Sequence, residues 1–236
     1  MLELKNISYS VINENNENID ILKNINLKFN KGITVITGQN GSGKSSLIKL
    51  IMDINKSNDG QIIFNKKDIS SLNTTERANL GFTIAFQQPI RFKGLKVRDL
   101  LDIASSKTNK LSDVCEHLSK VGMCAKDYIN REIDDTLSGG ELKRIELALS
   151  LAKGGEVFLF DEPEAGIDLW SFENLIEIFK NLKDKIVIIV SHQEKIIESA
   201  DNVIVFDNNT VRQYSNTEAI SKIKKLRCGK LGGNRG

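Results

Sequence analysis

The amino end of the chain alternates apolar and polar residues in two successive runs, at residues 2–9 and 19–29. Residues 13–18 lie between the runs and are rich in Asn, which tolerates a left-handed backbone and therefore favours a turn. The pattern predicts an antiparallel β-hairpin at the amino end.

Beyond the hairpin, apolar residues gather in short continuous runs that are β-branched or aromatic and have polar residues on both sides. Such runs are typical of parallel strands that are covered on both faces. The runs are residues 33–36, 157–160, 186–190 and 203–206. Helical periodicity lies between them, for example over residues 142–153, where Leu142, Ile145 and Leu149 recur with the spacing of one helix face. This alternation predicts an α/β fold with a mainly parallel core sheet.

Residues from roughly 90 to 136 contain no such strand run. Helical patterns over residues 97–104 and 111–121 instead predict a helical insert within one domain that covers residues 1–220. Residues 221–236 are basic and rich in glycine, and we expect a frayed end there rather than a binding arm.

Composition and charge narrow the classes of function. The 236 residues include 33 basic and 31 acidic side chains, and the net charge of +2 gives no electrostatic reason to expect nucleic acid as the main ligand. Cys115, Cys124 and Cys228 show no CxxC or CxxH spacing, so we expect free thiols rather than metal ligands. No apolar run approaches the ~18 residues of a membrane span, and the first residues open no signal peptide. We expect a cytoplasmic protein that does not insert into a membrane.

A glycine-rich segment follows the apolar run at residues 33–36 and leads into a helical pattern over residues 46–54. The segment matches G-x-x-x-x-G-K-S in the strand–loop–helix context that this phosphate-binding motif requires. Its glycines allow backbone N–H groups and a helix N-terminus to point at phosphate oxygens. Lys44 is expected to neutralise the β- and γ-phosphates, and the Ser45 hydroxyl to bind Mg²⁺. The predicted nucleotide-binding residues are Gly38, Gln39, Asn40, Gly41, Ser42, Gly43, Lys44, Ser45 and Ser46.

Two further strand ends carry polar side chains. Asp161 and Glu162 follow the run 157–160, where Asp161 can hold Mg²⁺ through water and Glu162 can polarise an attacking water. His192 follows the run 186–190. Each feature alone has an ordinary alternative, which is helix capping for the acidic pair and a structural role for the histidine. Ligands of open α/β sheets gather at the carboxyl ends of the strands, so agreement with the phosphate motif favours one catalytic edge.

The segment LSGGE at residues 137–141 precedes a predicted helix. Gly139 and Gly140 expose the N-terminus of that helix, which makes a second anion site. One chain is expected to bind one γ-phosphate, and the first motif already holds it. The economical interpretation is that Ser138, Gly139 and Gly140 contact the nucleotide that another subunit binds.

The motifs GQNGSGKS, LSGGE and FLFDEP, spread over roughly residues 1–215, resemble those of the ATP-binding cassette (ABC) ATPases. The resemblance implies a P-loop NTPase fold with an N-terminal antiparallel β subdomain and a helical insert. It also implies Mg²⁺-dependent ATP hydrolysis by a head-to-tail dimer that ATP induces. By this resemblance Gln87 is the Q-loop glutamine, which touches Mg²⁺ or the attacking water, and Gln88 is the alternative. Asp168 corresponds to the D-loop aspartate at the nucleotide site, and His192 to the histidine that senses the γ-phosphate.

Three features are similar to the SufC-type ATPases of iron–sulfur cluster assembly. They are the string E-x-K-R-x-E that begins at Glu141, the segment AFQQP at residues 85–89 and the segment EAGIDLW at residues 164–170. Val11 also stands where many ABC ATPases have an aromatic residue for adenine, while Tyr9 lies two residues earlier. The resemblance implies a SufB-like or SufD-like scaffold protein as partner. The alternatives are the ATP-binding subunit of a membrane transporter and, third, a DNA-maintenance ATPase, although no sustained heptads are present.

The family resemblance also implies where a partner docks. An ABC ATPase engages its partner beside the Q-loop glutamine, so residues 87–101 are expected to form the docking surface. Ile90 and Phe92 are large apolar residues in this segment with cationic neighbours. The sequence leaves open whether they anchor a protein partner or belong to the core of the insert.

Overall fold

The computed structural model describes residues 1–167, 169–207 and 210–214, together with Glu218 and Ile220. In chain order, the described strands are β1 (Leu2–Ile12), β2 (Asn18–Phe29), β3 (Gly32–Gly38), β4 (Asp59–Phe64), β5 (Lys67–Asp68), β6 (Phe82–Ala85), β7 (Phe92–Lys96), β8 (Glu132–Ile133), β9 (Val157–Asp161), β10 (Ile186–Val190), β11 (Asn202–Asp207) and β12 (Thr210–Tyr214). The described helices are α1 (Lys44–Ile51), α2 (Thr74–Asn79), α3 (Val97–Ser105), α4 (Leu111–Lys120), α5 (Ala125–Tyr128), α6 (Gly139–Lys153), α7 (Leu169–Asn181) and α8 (Glu194–Glu198).

A six-stranded sheet forms the centre of the molecule, in the order β12-β11-β3-β10-β9-β6. All neighbouring pairs from β11 to β6 are parallel, and only β12 runs antiparallel to its neighbour β11. Every residue of β9 and β10 is buried, because helices or the second sheet cover both faces. The four fully apolar runs of the sequence are all strands of this sheet, so the predicted α/β fold is confirmed.

The predicted amino-terminal hairpin is also present. Strands β1 and β2 pair antiparallel and belong to a four-stranded sheet in the order β2-β1-β4-β5. Asn6 and Asn24 adopt left-handed backbone angles where the pairing register shifts, which Asn accepts more readily than most residues. The apolar face of this sheet packs in one core with α1 and one face of the central sheet. The hairpin therefore lies against the helix that follows the phosphate-binding loop.

The insert between β6 and α6 contains three helices, α3, α4 and α5, of which the first two follow the predicted segments closely. The prediction that residues 90–136 lack strands is wrong at both ends, where β7 and β8 pair antiparallel. These strands are five and two residues long, and all but two of their side chains are exposed. A short exposed ribbon buries too little apolar surface to show a period-2 pattern, so the sequence gives no signal for it.

Helix α6 connects the insert to the central sheet. Its apolar residues pack in one core with residues of α3, α4 and the strands β9 and β10. The helix begins at the LSGGE segment, so the anion site predicted from that segment is attached to a buried element. None of the helices that the structure describes is long and apolar enough to cross a lipid bilayer.

Candidate nucleotide-binding site

A cleft of about 560 Å³ lies at the carboxyl edge of the central sheet. It is lined by residues of the phosphate-binding loop and of the segments that follow β6 and β9. The lining residues are Ile21, Asn40, Gly41, Gly43, Lys44, Ser45, Ser46, Gln87 and Glu162. The structure therefore brings together six of the nine predicted residues of the phosphate-binding loop with two of the three predicted catalytic residues.

The loop from β3 to α1 has the shape that a phosphate cradle needs. Gly43 is the N-cap of α1 with φ 90°, and a side chain there would meet Leu22 at 2.7 Å. Lys44 is buried and its ammonium donates hydrogen bonds to the carbonyls of Gly38 and Gln39, at 3.2 and 2.7 Å. Burial lowers the pKa of Lys44, and the nearby Glu162 and Asp161 carboxylates oppose that shift. The charge is thus held over the loop where phosphate oxygens would lie.

Ser45 and Asp161 form the part of the site that suits a divalent cation. The Ser45 hydroxyl donates a hydrogen bond to Asp161 Oδ1 at 3.0 Å, and Asp161 is only 3% exposed. Burial raises the pKa of Asp161, while the Ser45 hydrogen bond acts in the opposite direction. A hydroxyl and a carboxylate are the hard oxygen ligands that Mg²⁺ prefers, with water and substrate phosphates completing its shell. The described residues include no cluster of three His, Cys, Asp or Glu side chains that could hold a metal ion.

Glu162 and Gln87 meet across the cleft. Gln87 Nε2 donates a hydrogen bond to Glu162 Oε2 at 2.8 Å, so the carboxylate is the acceptor in this contact. The backbone of Glu162 is left-handed, with φ 47°, and its N–H donates to the Val190 carbonyl. A non-glycine residue in this conformation costs free energy, and such strain is concentrated at functional sites. The short strand β6 carries Gln87 to this edge, and the sequence did not predict that strand.

The segment after β10 carries His192, which is not among the described residues that line the cleft. The preceding Ser191 is fully buried, and its hydroxyl donates to Glu164 Oε1 at 2.6 Å. Burial raises the pKa of Glu164, with the Ser191 hydrogen bond opposing it. Glu164 thus links the segment after β9 to the segment that holds His192. The sequence analysis missed this link, although an acidic residue so close to Asp161 and Glu162 was a visible signal.

The LSGGE segment lies apart from the cleft within one chain. Ser138 is the N-cap of α6 in a capping box, since its side chain accepts from the Glu141 N–H while the Glu141 carboxylate accepts from the Ser138 N–H. A side chain at Gly140 would come within 2.6 Å of the Gly166 carbonyl, whereas Gly139 has no such neighbour, among the residues that the structure describes, within 4 Å of where its Cβ would stand. Contacts inside the chain therefore explain the glycine at 140 but not the one at 139. Asp168 lies outside the described residues.

The hairpin contributes Ile21 to the cleft. Tyr9 packs partly buried against the core that contains α1, and Val11 pairs with Ile19 in the hairpin. Ile21 reaches the phosphate-binding loop, where its carbonyl and side chain approach Gly43. Among the residues described here, Ile21 is the hairpin residue placed to touch a bound nucleotide.

The cysteines of the described residues are free thiols, as the spacing predicted. Cys115 and Cys124 are both exposed and form no disulfide. Cys228 lies outside the described residues, so its state stays a prediction.

The charge of Glu141 is expected to support the fold in a pH-dependent way. Hydrogen bonds from the Tyr128 hydroxyl and from Ser138, aided by the Arg131 charge, lower the pKa of Glu141 from 4.5 to about 2. Its stabilising contribution is therefore present above pH 4.5 and is lost as the pH falls toward 2. We expect Glu141→Gln to lower the free energy of unfolding near neutral pH, measured by urea titration. The difference from the wild type should shrink as the pH falls below 4.5; a difference that stays constant with pH would contradict the account.

Proteins of known family resemble this chain over most of its length. The profile of the family described as ABC transporter matches residues 22–165. The chain is 38% identical over 224 residues to the uncharacterized ABC transporter ATP-binding protein MJ0035 of Methanocaldococcus jannaschii, with 90% of each chain covered. It is 32% identical over 216 residues to the probable ATP-dependent transporter ycf16 of Trieres chinensis, covering 84% of this chain and 83% of that one.

A solved structure gives the same result for the fold. The dimeric structure of a post-hydrolysis state of the ATP-binding cassette MJ0796, bound to ADP and Pi, matches with a TM-score of 0.81 at 23% identity. The match covers 92% of this chain and 99% of that chain. The family profile extends over more than half of the sequence and includes the phosphate-binding loop and both acidic residues. The chain therefore belongs to the ABC ATPases, which bind ATP with Mg²⁺ and hydrolyse it.

Proposed function

We propose that two copies of this chain close head to tail around ATP, and that the cycle acts on a soluble SufB-like or SufD-like scaffold during cytoplasmic iron–sulfur cluster assembly. One observation carries the catalytic part of the proposal. Gln87 and Glu162 are hydrogen-bonded to each other and line the same cleft as Lys44 and Ser45. The proposed base, the amide that would orient it and the phosphate-binding loop thus line one cleft.

Each residue has a role that its contacts support. Lys44 would leave its loop carbonyls to bind the β- and γ-phosphates, and Ser45 with Asp161 would hold Mg²⁺, which supplies charge neutralisation of the phosphates when bound. Glu162 would accept the proton of the attacking water, and Gln87 would keep that carboxylate oriented. His192 would contact the γ-phosphate from the neighbouring strand end.

The free space around Gly139 supports the contribution of a second copy. Apart from its chain neighbours and its own helix backbone, no atom of the described residues lies within 4 Å of where a Gly139 Cβ would stand. A glycine that its own fold does not require is typical of a place where a ligand approaches the backbone closely. Ser138, Gly139 and Gly140 begin the 15-residue helix α6, so an approaching phosphate would meet its positive end. We infer that this phosphate belongs to ATP bound by the other copy, and the family resemblance implies that Asp168 acts on the nucleotide as the D-loop aspartate.

The docking surface for the partner is proposed at an apolar groove of about 240 Å³ beside Gln87. Ile90 and Phe92 line the groove and are 51% and 39% exposed, so they do not belong to the closed core of the insert. Large apolar side chains at the mouth of a groove are typical anchors for a protein partner. The SufB-like or SufD-like nature of that partner rests on the E-x-K-R-x-E, AFQQP and EAGIDLW resemblance.

A membrane subunit is the second candidate for the partner. The matching family is described as ABC transporter, and both relatives reported above have transporter in their names. The same groove would then receive a segment of a membrane protein. The ATPase chemistry is the same under both alternatives.

Two substitutions are expected to separate ATP binding from ATP hydrolysis. Lys44→Ala should weaken ATP binding strongly, because Lys44 is the ammonium placed beside the phosphate-binding loop. Glu162→Gln should bind ATP with nearly unchanged affinity and lose about 10²–10⁴-fold in turnover, because it keeps the shape and removes the base. Calorimetry measures the affinities, and phosphate release measures turnover.

The matched control is Glu14→Gln on the exposed turn of the hairpin, which should change neither quantity. Unchanged ATP affinity of Lys44→Ala would contradict the site, and wild-type turnover of Glu162→Gln would contradict the role of the base. An ATP-dependent dimer of Glu162→Gln, seen by light scattering, is expected because hydrolysis no longer separates the two copies.

The choice between partners is tested by affinity purification from a detergent-free lysate, with the bound proteins identified by mass spectrometry. We expect a SufB-like or SufD-like scaffold to be recovered. Phe92→Asp should weaken that association at least about tenfold, because it places a charge where an apolar anchor is expected.

Leu111→Asp is the matched control, since Leu111 is 60% exposed on the same insert but does not line the groove. It should leave the association unchanged. Recovery only from detergent-solubilised membranes, together with a polytopic protein, would support the transporter alternative instead.

A further inference from the structure

Two charged residues of α6 hold the backbone of Phe86 from both sides. The Phe86 N–H donates a hydrogen bond to Glu146 Oε1 at 2.7 Å, and the Lys143 ammonium donates to the Phe86 carbonyl. The two side chains also pair with each other at 3.2 Å. Because the N–H and the carbonyl belong to successive peptide planes, both peptides that flank Phe86 are fixed.

Lys143 of this pair is fully buried and Glu146 is mostly buried. The side chain of Lys143 is 1% exposed and that of Glu146 is 14% exposed. Burying an ion pair is expensive, and two apolar residues of similar volume are often as stable or more so. Contribution to stability is therefore a weak explanation for this pair. Specifying one position of a backbone segment is a role that apolar side chains cannot fill, because they offer neither a donor nor an acceptor.

The backbone that the pair holds leads directly into the site. Gln87 follows Phe86, and its side chain donates to Glu162 Oε2 at 2.8 Å. Hydrogen bonds thus run from α6 through Phe86 and Gln87 to the carboxylate beside the phosphate cradle. Lys153 offers a comparison on the same helix, since it donates to the Phe82 carbonyl at the opposite end of β6, far from Gln87 along the strand.

We propose that Lys143 and Glu146 are positioning residues for ATP hydrolysis, which act by fixing the Phe86 backbone so that Gln87 reaches Glu162. The proposal rests on the roles proposed above for Gln87 and Glu162. Lys143 and Glu146 belong to the E-x-K-R-x-E string and follow Glu141 on the inner face of α6. Both would then have a defined role in ATP turnover.

The test is a mutant cycle that combines Lys143→Met/Glu146→Met with Gln87→Ala. The rate of single-turnover hydrolysis is measured with the chain in excess over ATP, so that slow rates remain measurable. In the wild-type background the Met pair should lower the rate about tenfold with ATP affinity changed less than about twofold, because only the reactive geometry is lost. In the Gln87→Ala background it should lower the rate less than about twofold, because residues that act through one another are not additive.

Several outcomes would overturn the proposal. Equal losses of rate in both backgrounds would show an effect that does not act through Gln87. A loss of rate from the matched control Lys153→Met that equals the loss from the Met pair would show the same. Absence of any loss in the wild-type background would overturn it as well. A Gln87→Ala rate equal to that of the wild type would contradict the role of Gln87 itself, which distinguishes failure of the proposed site from failure of the positioning.

A second comparison applies if the Met pair does not fold. Glu146→Gln keeps an oxygen that accepts from the Phe86 N–H, whereas Glu146→Met removes it. We expect Glu146→Gln to retain most of the rate and Glu146→Met to lose it. Equal rates for these two variants would contradict the hydrogen bond as the means of positioning.

Discussion

Parallel pairing of β3, β10, β9 and β6 is the constraint on which the site depends. Parallel strands end at the same edge of a sheet, so the segments that follow them are neighbours whatever their distance along the chain. The register aligns Ile36 with Val190, Val190 with Asp161 and Phe160 with Ala85. The phosphate cradle, Glu162 and Gln87 consequently line one cleft, and Asp161 accepts a hydrogen bond from Ser45 of that cradle. Burial of nearly all of these strands makes a register slip costly, because it would move apolar side chains and break the ladder.

The same strand edge connects catalysis to the proposed docking groove. Phe86 and Glu146 line that groove, while the backbone of Phe86 leads into Gln87 and the cleft. A partner seated in the groove would touch the residues that we propose position the glutamine. A segment of backbone, held from α6, thus lies between the proposed docking groove and the Glu162 carboxylate.

Sequence reasoning succeeded where a strong local signal was present. The run 186–190 is a strand with the predicted bounds, and the glycine-rich loop lies where its strand–loop–helix context placed it. Strand β6 was missed because four residues that include Thr83 form no distinctive pattern, and its support comes from β9, distant along the chain. The proposed roles of Lys143 and Glu146 could not be predicted from the sequence for a related reason. Their spacing fits an ordinary helical ion pair, and only the fold shows that a backbone segment from another element lies between them and the site.

The central claim is that each nucleotide site is completed by the LSGGE segment of a second copy, and ATP-dependent dimerisation tests it most directly. Gly139→Asp should leave the chain folded, because the described part of the chain places no atom within 4 Å of the new Cβ beyond its own helix and chain neighbours, and an acidic residue suits a helix N-terminus. Introduced into Glu162→Gln, it should abolish the dimer that ATP induces, because its charge would repel the phosphate, while ATP affinity of the monomer stays unchanged. Sedimentation equilibrium with Mg·ATP measures the fraction of dimer. Neutral Gly139→Ala is the control, and it should retain more of the dimer than Gly139→Asp. Undiminished dimerisation of the Asp variant would contradict the account.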